Sequence, residues 1–311
     1  MPFEFERIVC AILPIGESLE FLANHQETNA IIGFDQYCRL KKVLPNHRIE
    51  LFDNSKSYGE LDVLLIMSTI WTVPFEVLHK FRRIVYFFDD IEIFKAELEK
   101  YKNHMKFVSL VLHPEPDIAK QLQEYWDIPT VYMPWSSARL PTIFNRDESR
   151  IRVFLDVDAR NIAAHSIERA TAFVNELYDC EVEIYVPSIA TALLPSTIID
   201  RVVEVPRLSH GKFLEFMGNM NWYASGIHGS YEYVAMESAL LGCGLISLNG
   251  AVRKFHRERA CVVDFPSSGN VCKEIFIANR NNIAEEIQIT SRKLYPFDAV
   301  ADIPRIFREL L

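Results

Sequence analysis

The sequence predicts an α/β protein made of two Rossmann-like domains, each a doubly wound parallel sheet. Three observations lead there. Short β-branched or aromatic runs alternate with segments of helical period along almost the whole chain, the pattern of βαβ units. The runs are apolar at nearly every position, as strands covered by helices on both faces must be. One polar, proline-punctuated stretch, SSARLPTIFNRDESR, stops the alternation between Ser136 and Arg150, after which it restarts.

The first domain, residues 1–137, reads in order RIVCAIL, NAIIGFDQYCRLKKVL, HRIELFD, DVLLIMS, PFEVLHKF, RIVYFFDD, IEIFKAELEKY, FVSLVLH, PDIAKQLQEYW and PTVYMPW. Thr28 or Asn29 is the expected cap of the first long helix. A linker is expected over residues 138–150. The second domain, residues 151–311, reads IRVFLDV, a helix SIERATAFVNELY, strands EVEIYVP and VVEVP, a helix GKFLEFMGNM, a strand NWYASGI, a helix YEYVAMESALL, strands GLISL and ACVVDF, and a helix NIAEEIQITSRKLY. Two such domains in tandem are expected to face a cleft with their strand C-terminal ends, the default place for a ligand.

The bulk values fit this division. At 311 residues the chain exceeds one hydrophobic core, and 49% hydrophobic with 24% charged residues is a globular balance. Two glutamates precede a short apolar run at the start, unlike a secretory signal, so a cytoplasmic location is expected. No run approaches the ~18 to 20 apolar residues of a membrane span, so none is expected. The six cysteines are scattered without a CxxC pair and read as reduced core thiols. A net charge of −9 disfavours a polyanionic partner. Neither GxGxxG nor GxxxxGK occurs, which disfavours a dehydrogenase and a P-loop ATPase.

One helix carries an anomaly. Within YEYVAMESALLGCGLISL, residues 231–248, the only charged side chains are Glu232 and Glu237, and the helix is otherwise apolar nearly all round. A carboxylate buried there is costly without a partner. On one reading Glu237 leans to solvent or pairs with a basic side chain of the first domain. On the other it accepts ligand hydroxyls at the cleft.

The run GSYEYVAMESALLGCGLIS resembles the C-terminal signature of the large retaining family of nucleotide-sugar glycosyltransferases with the GT-B fold, glycosyl transferases group 1 or family 4-like. The resemblance covers residues 151 to about 290 in order of elements and is motif-grade from Gly229 to Ser247. It implies a GT-B arrangement, a first domain on the acceptor side, and a second domain that binds the donor. It implies that Glu237 binds the ribose hydroxyls of the donor nucleotide. Eight positions earlier the family has a glutamate on the transferred sugar, where this chain has Gly229; His228, Ser230 and Glu232 are the nearest candidates to replace it. Backbone amides of Gly229, Ser230 and Tyr231 would start the helix and favour a phosphate. Upstream, FLDVDARNIAAHS supplies Arg160 where the family has a diphosphate-binding arginine, and His165 where it has a lysine. The guanidinium stays charged and can grip two oxygens, whereas the imidazole is mostly neutral near pH 7. The plain alternative for Arg160 is a solvated loop cation. The last helix, DIPRIFRELL, is expected to pack back on the first domain through Ile303, Ile306, Phe307 and Leu310, since members of the family cross over there.

The expected activity is therefore transfer of a sugar from a UDP- or GDP-linked donor to a hydroxyl, with retention, by catalytic candidates Arg160, Glu232 and His228. No cofactor beyond the nucleotide-sugar co-substrate and no metal site is expected. A weak or inactive nucleotide-sugar-binding module is the alternative, motivated by Gly229 and His165. On the acceptor side His25, Glu27, Asp89 and His113 sit at predicted strand ends or loops. The acceptor is left open among a glycan, a lipid-linked sugar, a small molecule and a hydroxymethylated base in DNA, as in virus-type enzymes. Residues 1–137 hold 14 Lys+Arg against 20 Asp+Glu, so a DNA acceptor would need the clusters Arg39, Lys41, Lys42 and Lys80, Arg82, Arg83 to face it.

Overall fold

A computed structural model of the chain describes residues 4–24, 28–67, 69–87, 101–140, 146, 150–157, 164–225, 233–248, 262–265, 270–280 and 284–311. Two compact units emerge: unit 1 is Met1–Ala138 with Tyr295–Leu311, and unit 2 is Arg139–Leu294.

Twelve strands are described: β1 (Arg7–Ala11), β2 (Ile49–Leu51), β3 (Asp62–Ile66), β4 (Arg83–Phe87), β5 (Leu110–His113), β6 (Thr130–Tyr132), β7 (Ile151–Asp156), β8 (Val182–Pro187), β9 (Val203–Val205), β10 (Trp222–Ser225), β11 (Gly244–Ser247) and β12 (Val262–Asp264). The described α-helices are α1 (Leu19–Asn24), α2 (Thr28–Val43), α3 (Phe75–Leu78), α4 (Pro116–Trp126), α5 (Ala164–Glu176), α6 (Ser188–Thr191), α7 (Ser196–Ile199), α8 (His210–Met217), α9 (Tyr233–Leu240), α10 (Val271–Arg280), α11 (Ala284–Leu294) and α12 (Ile303–Leu310). Residues 101–105 are also helical.

Each unit holds one six-stranded sheet, ordered β2-β1-β3-β4-β5-β6 in unit 1 and β12-β11-β10-β7-β8-β9 in unit 2. All strand pairs in both sheets are parallel. The unit 2 order, counted from its own first strand, is 3-2-1-4-5-6 read from β9, the doubly wound order in which the direction of winding reverses between β7 and β10. The α/β class with two Rossmann-like parallel sheets is thus the fold of the chain.

The apolar runs become strands because helices cover both faces. In unit 2 one face places Val153, Leu155, Trp222, Ala224 and Ile246 against Phe173 and Val174 of α5 and Val271 and Ile275 of α10. The opposite face places Phe154, Tyr223 and Leu245 against Leu214 and Met217 of α8 and Ala235 and Ala239 of α9. In unit 1 Val9, Leu64, Ile66, Ile84 and Tyr86 meet Val77 and Leu78 of α3 and Ile118 and Leu122 of α4.

The end of α9 follows directly from LLGCG. Gly242 takes φ +84, its N–H reaches Ala239 O at 2.9 Å, and the Cys243 N–H reaches Ser238 O at 2.9 Å. This is the paired Schellman closure, and it requires glycine at the left-handed position. Gly244 then passes under an indole: a Cβ there would lie 2.4 Å from a Trp222 ring carbon.

Three expectations need correction. Cys180 and Cys272 form a disulfide in unit 2, so the six cysteines are not all reduced thiols; Cys10, Cys38 and Cys243 are in no disulfide. The partners lie 92 residues apart, a separation that sequence spacing cannot pair. VCKEIFIANR, which has no place in the sequence-based order of elements, is the helix α10. Arg39 is not a surface cation: it is 0% exposed. Its neighbours in the two basic clusters are also engaged, Lys42 with Ala138 O at 2.5 Å, Lys80 with Asn54 Oδ1 at 2.7 Å, Arg83 with Leu311 O at 2.9 Å and Arg82 with Glu60 at 2.6 Å.

Arg39 instead ties unit 1 together. Its Nε donates to Phe297 O at 2.8 Å, one terminal nitrogen to Gln36 Oε1 at 3.0 Å and Pro134 O at 2.9 Å, and the other to Pro296 O at 2.6 Å. The same helix face adds Gln36 Nε2 to Ser136 O at 2.7 Å, and Asp35 accepts the Ala138 N–H at 2.9 Å. One helix, α2, thereby holds both residues 134–138 and the returning segment at Pro296. Beyond it, α12 buries Ile303, Ile306 and Phe307 while Leu310 is exposed. Phe307 meets Phe5 edge-on at 5.6 Å. In unit 2 the linker residue Arg146 plays a comparable part, donating to Gly218 O, Leu241 O and Gly242 O at the C-terminal ends of α8 and α9.

Arg39→Ala strips donors from three backbone carbonyls, and is expected to cost about 3 kcal/mol or more of unfolding free energy. Arg305→Ala, which breaks exposed pairs with Glu309 at 3.0 Å and Asp302 at 3.6 Å, should cost less than about 1 kcal/mol. Urea denaturation of the two variants checks the contrast.

Candidate functional site

The C-terminal edge of the unit 2 sheet is where its strands turn polar. Asp156, Ser225 and Ser247 end β7, β10 and β11 and lie in register side by side. Ser225 and Ser247 are buried. Each sits two residues beyond Phe154, Tyr223 or Leu245, so all three belong to the face covered by α8 and α9. The Tyr223 hydroxyl donates to Asp156 Oδ2 at 3.0 Å. In unit 1 the corresponding ends of β1, β3 and β4 are Ala11, Ile66 and Phe87. This polar row is a signal that sequence reasoning passed over, although each of IRVFLD, WYAS and GLIS ends an apolar run on a single polar residue.

Glu237 lies on the same side, on α9. The helix is buried at Tyr233, Ala235, Met236, Ser238, Ala239 and Leu240, and Glu237 itself is 2% exposed. Its two carboxylate oxygens lie 2.9 and 3.0 Å from one atom, His210 Nε2. His210 is the first residue of α8, follows Ser209 at the N-cap, and is 4% exposed. Glu237 therefore does not lean to solvent, and a histidine of its own unit meets it. Since a carboxylate only accepts, Nε2 is the donor. The sequence gave no local signal for this partner, since His210 stands among polar residues in RLSHGK.

The remaining donor-side candidates, Arg160, His228, Gly229, Ser230, Tyr231 and Glu232, lie outside the described residues, as do His25, Glu27 and Asp89 on the acceptor side. His165 falls in the first turn of α5. Among the described residues no group of three or more His, Cys, Asp or Glu side chains is arranged to hold a metal ion. No described helix is long and apolar enough to cross a membrane.

His113, the remaining acceptor-side candidate, ends β5 and is 1% exposed. Its Nδ1 receives the Glu115 N–H at 3.0 Å. Burial pushes its pKa down to about 4, and a hydrogen bond with the Glu115 backbone opposes this only in part. The ring is thus neutral at pH 7 and bound to its own loop, an arrangement that organises the turn from β5 into α4.

No protein-family model and no curated protein sequence matches the chain. Solved structures do match in fold. Sucrose-phosphate synthase from Thermosynechococcus elongatus superposes with a TM-score of 0.67 at 12% identity, covering 98% of this chain and 99% of that one. AviGT4, a glycosyltransferase involved in avilamycin A biosynthesis, gives 0.57 at 10% identity over 98% and 97%. The S. aureus MnaA–UDP co-structure gives 0.53 at 12% identity over 97% and 94%. At these identities the likeness is one of fold: the chain has the two-Rossmann-unit fold of the GT-B glycosyltransferases.

A histidine whose folded pKa lies below its unfolded value of about 6.5 contributes its full stability above that value. The contribution is lost as pH falls through the window from 6.5 to about 4. His113→Gln is expected to remove that part of the acid sensitivity, up to about 3 kcal/mol between the two limits. Unfolding free energies of wild type and variant at pH 7, 5.5 and 4.5 measure it, and parallel pH profiles would refute it.

Proposed function

We propose that this protein transfers a sugar from a UDP- or GDP-linked donor to a hydroxyl acceptor, with unit 2 holding the nucleotide. The observation that carries the reading is Glu237: a carboxylate 2% exposed, on the apolar helix that follows the strand at which winding reverses. Ligands of open α/β sheets bind at such a reversal, outside the carboxyl ends of the strands. A buried carboxylate there is suited to receive ribose hydroxyls, the role that the resemblance of its helix implies. A neighbour of the same fold is named as a UDP complex.

In this reading Arg160 and the amides of Gly229, Ser230 and Tyr231 stabilise the departing diphosphate, with His165 in support. His228, Ser230 and Glu232 are the candidates to contact the sugar in place of the family's glutamate. Transfer goes with retention, and no bound cofactor or metal takes part. Unit 1 receives the acceptor, and the protein works in the cytoplasm. Burial of Arg39 argues against a DNA acceptor, since the first basic cluster loses its central cation. Gly229, in place of the sugar-contacting glutamate, favours a second reading, a nucleotide-sugar-binding module without turnover. Slow donor hydrolysis in the absence of acceptor separates the two, because the module would release no free sugar.

Screening UDP- and GDP-sugars by thermal stabilisation is expected to find one that adds about 2.7 kcal/mol at a hundred times its Kd. Glu237→Ala should weaken UDP or GDP binding roughly tenfold or more, the loss expected for a hydrogen bond to a charged acceptor. Undiminished nucleotide affinity in a folded Glu237→Ala protein, measured by calorimetry, would remove the donor site from α9.

A further inference from the structure

Two cysteines of unit 2 stand apart from the buried thiols. Cys10 and Cys243 are 0% exposed, and burial pushes both of their pKa values up, so neither is poised to react. Cys180 and Cys272 are joined in a disulfide and only partly buried. Their bond lies in a surface groove with Glu176, Asn270, Lys273 and Phe276. A thiol from solution can reach the sulfurs there, and access of this kind is what disulfide exchange requires.

The two sulfurs differ in surroundings. Cys272 is the second residue of the ten-residue helix α10, where backbone N–H groups and the helix dipole favour negative charge, and Lys273 follows it. Cys180 stands between Asp179 and Glu181 in the turn from α5 to β8. The Glu176 carboxylate faces the same groove and opposes negative charge on either sulfur alike. Cys272 is thus the sulfur better able to hold a thiolate. The start of α10 does not depend on the bond. Glu176 Oε1 accepts the Val271 N–H at 3.0 Å and Asn270 Oδ1 accepts the Lys273 N–H at 2.8 Å. Val271 and Ile275 are 0% exposed in the core of unit 2.

We propose that Cys180–Cys272 is a thiol–disulfide exchange site, opened by a dithiol while unit 2 stays folded and closed again with Cys272 as the attacking thiolate. In opening, one thiolate of the dithiol attacks Cys180 Sγ, and the electron pair of the S–S bond leaves on Cys272 Sγ. The second thiolate then attacks the reductant's own sulfur in the mixed disulfide and releases Cys180. The dithiol departs as an intramolecular disulfide, two electrons pass to the protein, and the two thiol protons end on the cysteines. The bond spans 92 residues, which include β8 to β12. Its state therefore sets how firmly unit 2 is held together, whatever ligand that unit binds.

Treatment of the full chain with dithiothreitol, followed by iodoacetamide labelling and peptide mass spectrometry, tests this. Without denaturant, Cys180 and Cys272 are expected to become labelled while Cys10 and Cys243 stay unlabelled and the far-ultraviolet circular dichroism is unchanged. Reduction should lower the unfolding temperature by roughly 5 to 15 °C, and oxidised glutathione should restore both the bond and the temperature. At pH 7 Cys272 in Cys180→Ser should label several-fold faster than Cys180 in Cys272→Ser. Should either variant not fold, brief labelling of the reduced wild type gives the same ranking within one protein. Labelling of the pair only in denaturant, or loss of the dichroism signal on reduction, overturns the exchange site and leaves a structural cross-link. Failure of oxidised glutathione to reclose the bond overturns its reversibility. Labelling of Cys180 as fast as Cys272 or faster overturns the assignment of the attacking thiolate.

Discussion

A parallel sheet satisfies its backbone ladder from strand to strand but leaves two apolar faces that helices must cover, and the rest of this chain follows from that constraint. Polar chemistry is confined to strand ends, helix ends and loops. In unit 2 the strands are lined by residues such as Val153, Trp222 and Ile246 until they reach Asp156, Ser225 and Ser247 at their C-terminal edge. Glu237 departs from this rule, standing on a covering helix among buried apolar neighbours. It is the one described residue of α9 that could not be there without a dedicated donor.

The chain answers the cost of buried charge in two ways. Arg39 carries five N–H donors in a rigid fork, so carbonyls suffice to satisfy it, and α2 finds them in segments the chain brings alongside. Glu237 carries only acceptors. Its donor comes from a side chain on another helix, at the start of α8. The difference has consequences for role: a guanidinium bound to main-chain carbonyls holds chain segments together, whereas a carboxylate met by an imidazole joins one helix to the next.

Much of the architecture was legible because buried parallel strands have to be apolar throughout and their helices have to be periodic. RIVCAIL, DVLLIMS, IRVFLDV and GLISL could only be strands, and LLGCG could only stop a helix. Where local signals were short, legibility failed. The single-turn helices α6 and α7 each follow a proline, Pro187 and Pro195, and contain four residues, too few for a period to show. VCKEIFIANR was obscured by its polar positions. Long-range pairings were out of reach for a different reason: Glu237 with His210, Cys180 with Cys272 and Arg39 with Pro296 depend on the tertiary path, and none of the three leaves a trace in spacing. Glu237 itself was legible because its anomaly is local, a lone carboxylate on an apolar helix.

The clamp on α2 also bears on the order in which the chain is made. Unit 2 occupies residues 139–294 between the two parts of unit 1, so it is an insertion within its neighbour. During synthesis Arg39 leaves the ribosome more than two hundred residues before Pro296 and Phe297, the carbonyls that complete its coordination. Until they emerge, the first sheet can form its strand ladder but must keep the Arg39 guanidinium partly in water. Unit 2, being contiguous, is under no such delay. The later part of the message is thus free to finish folding before the earlier part, reversing the order in which the two were translated.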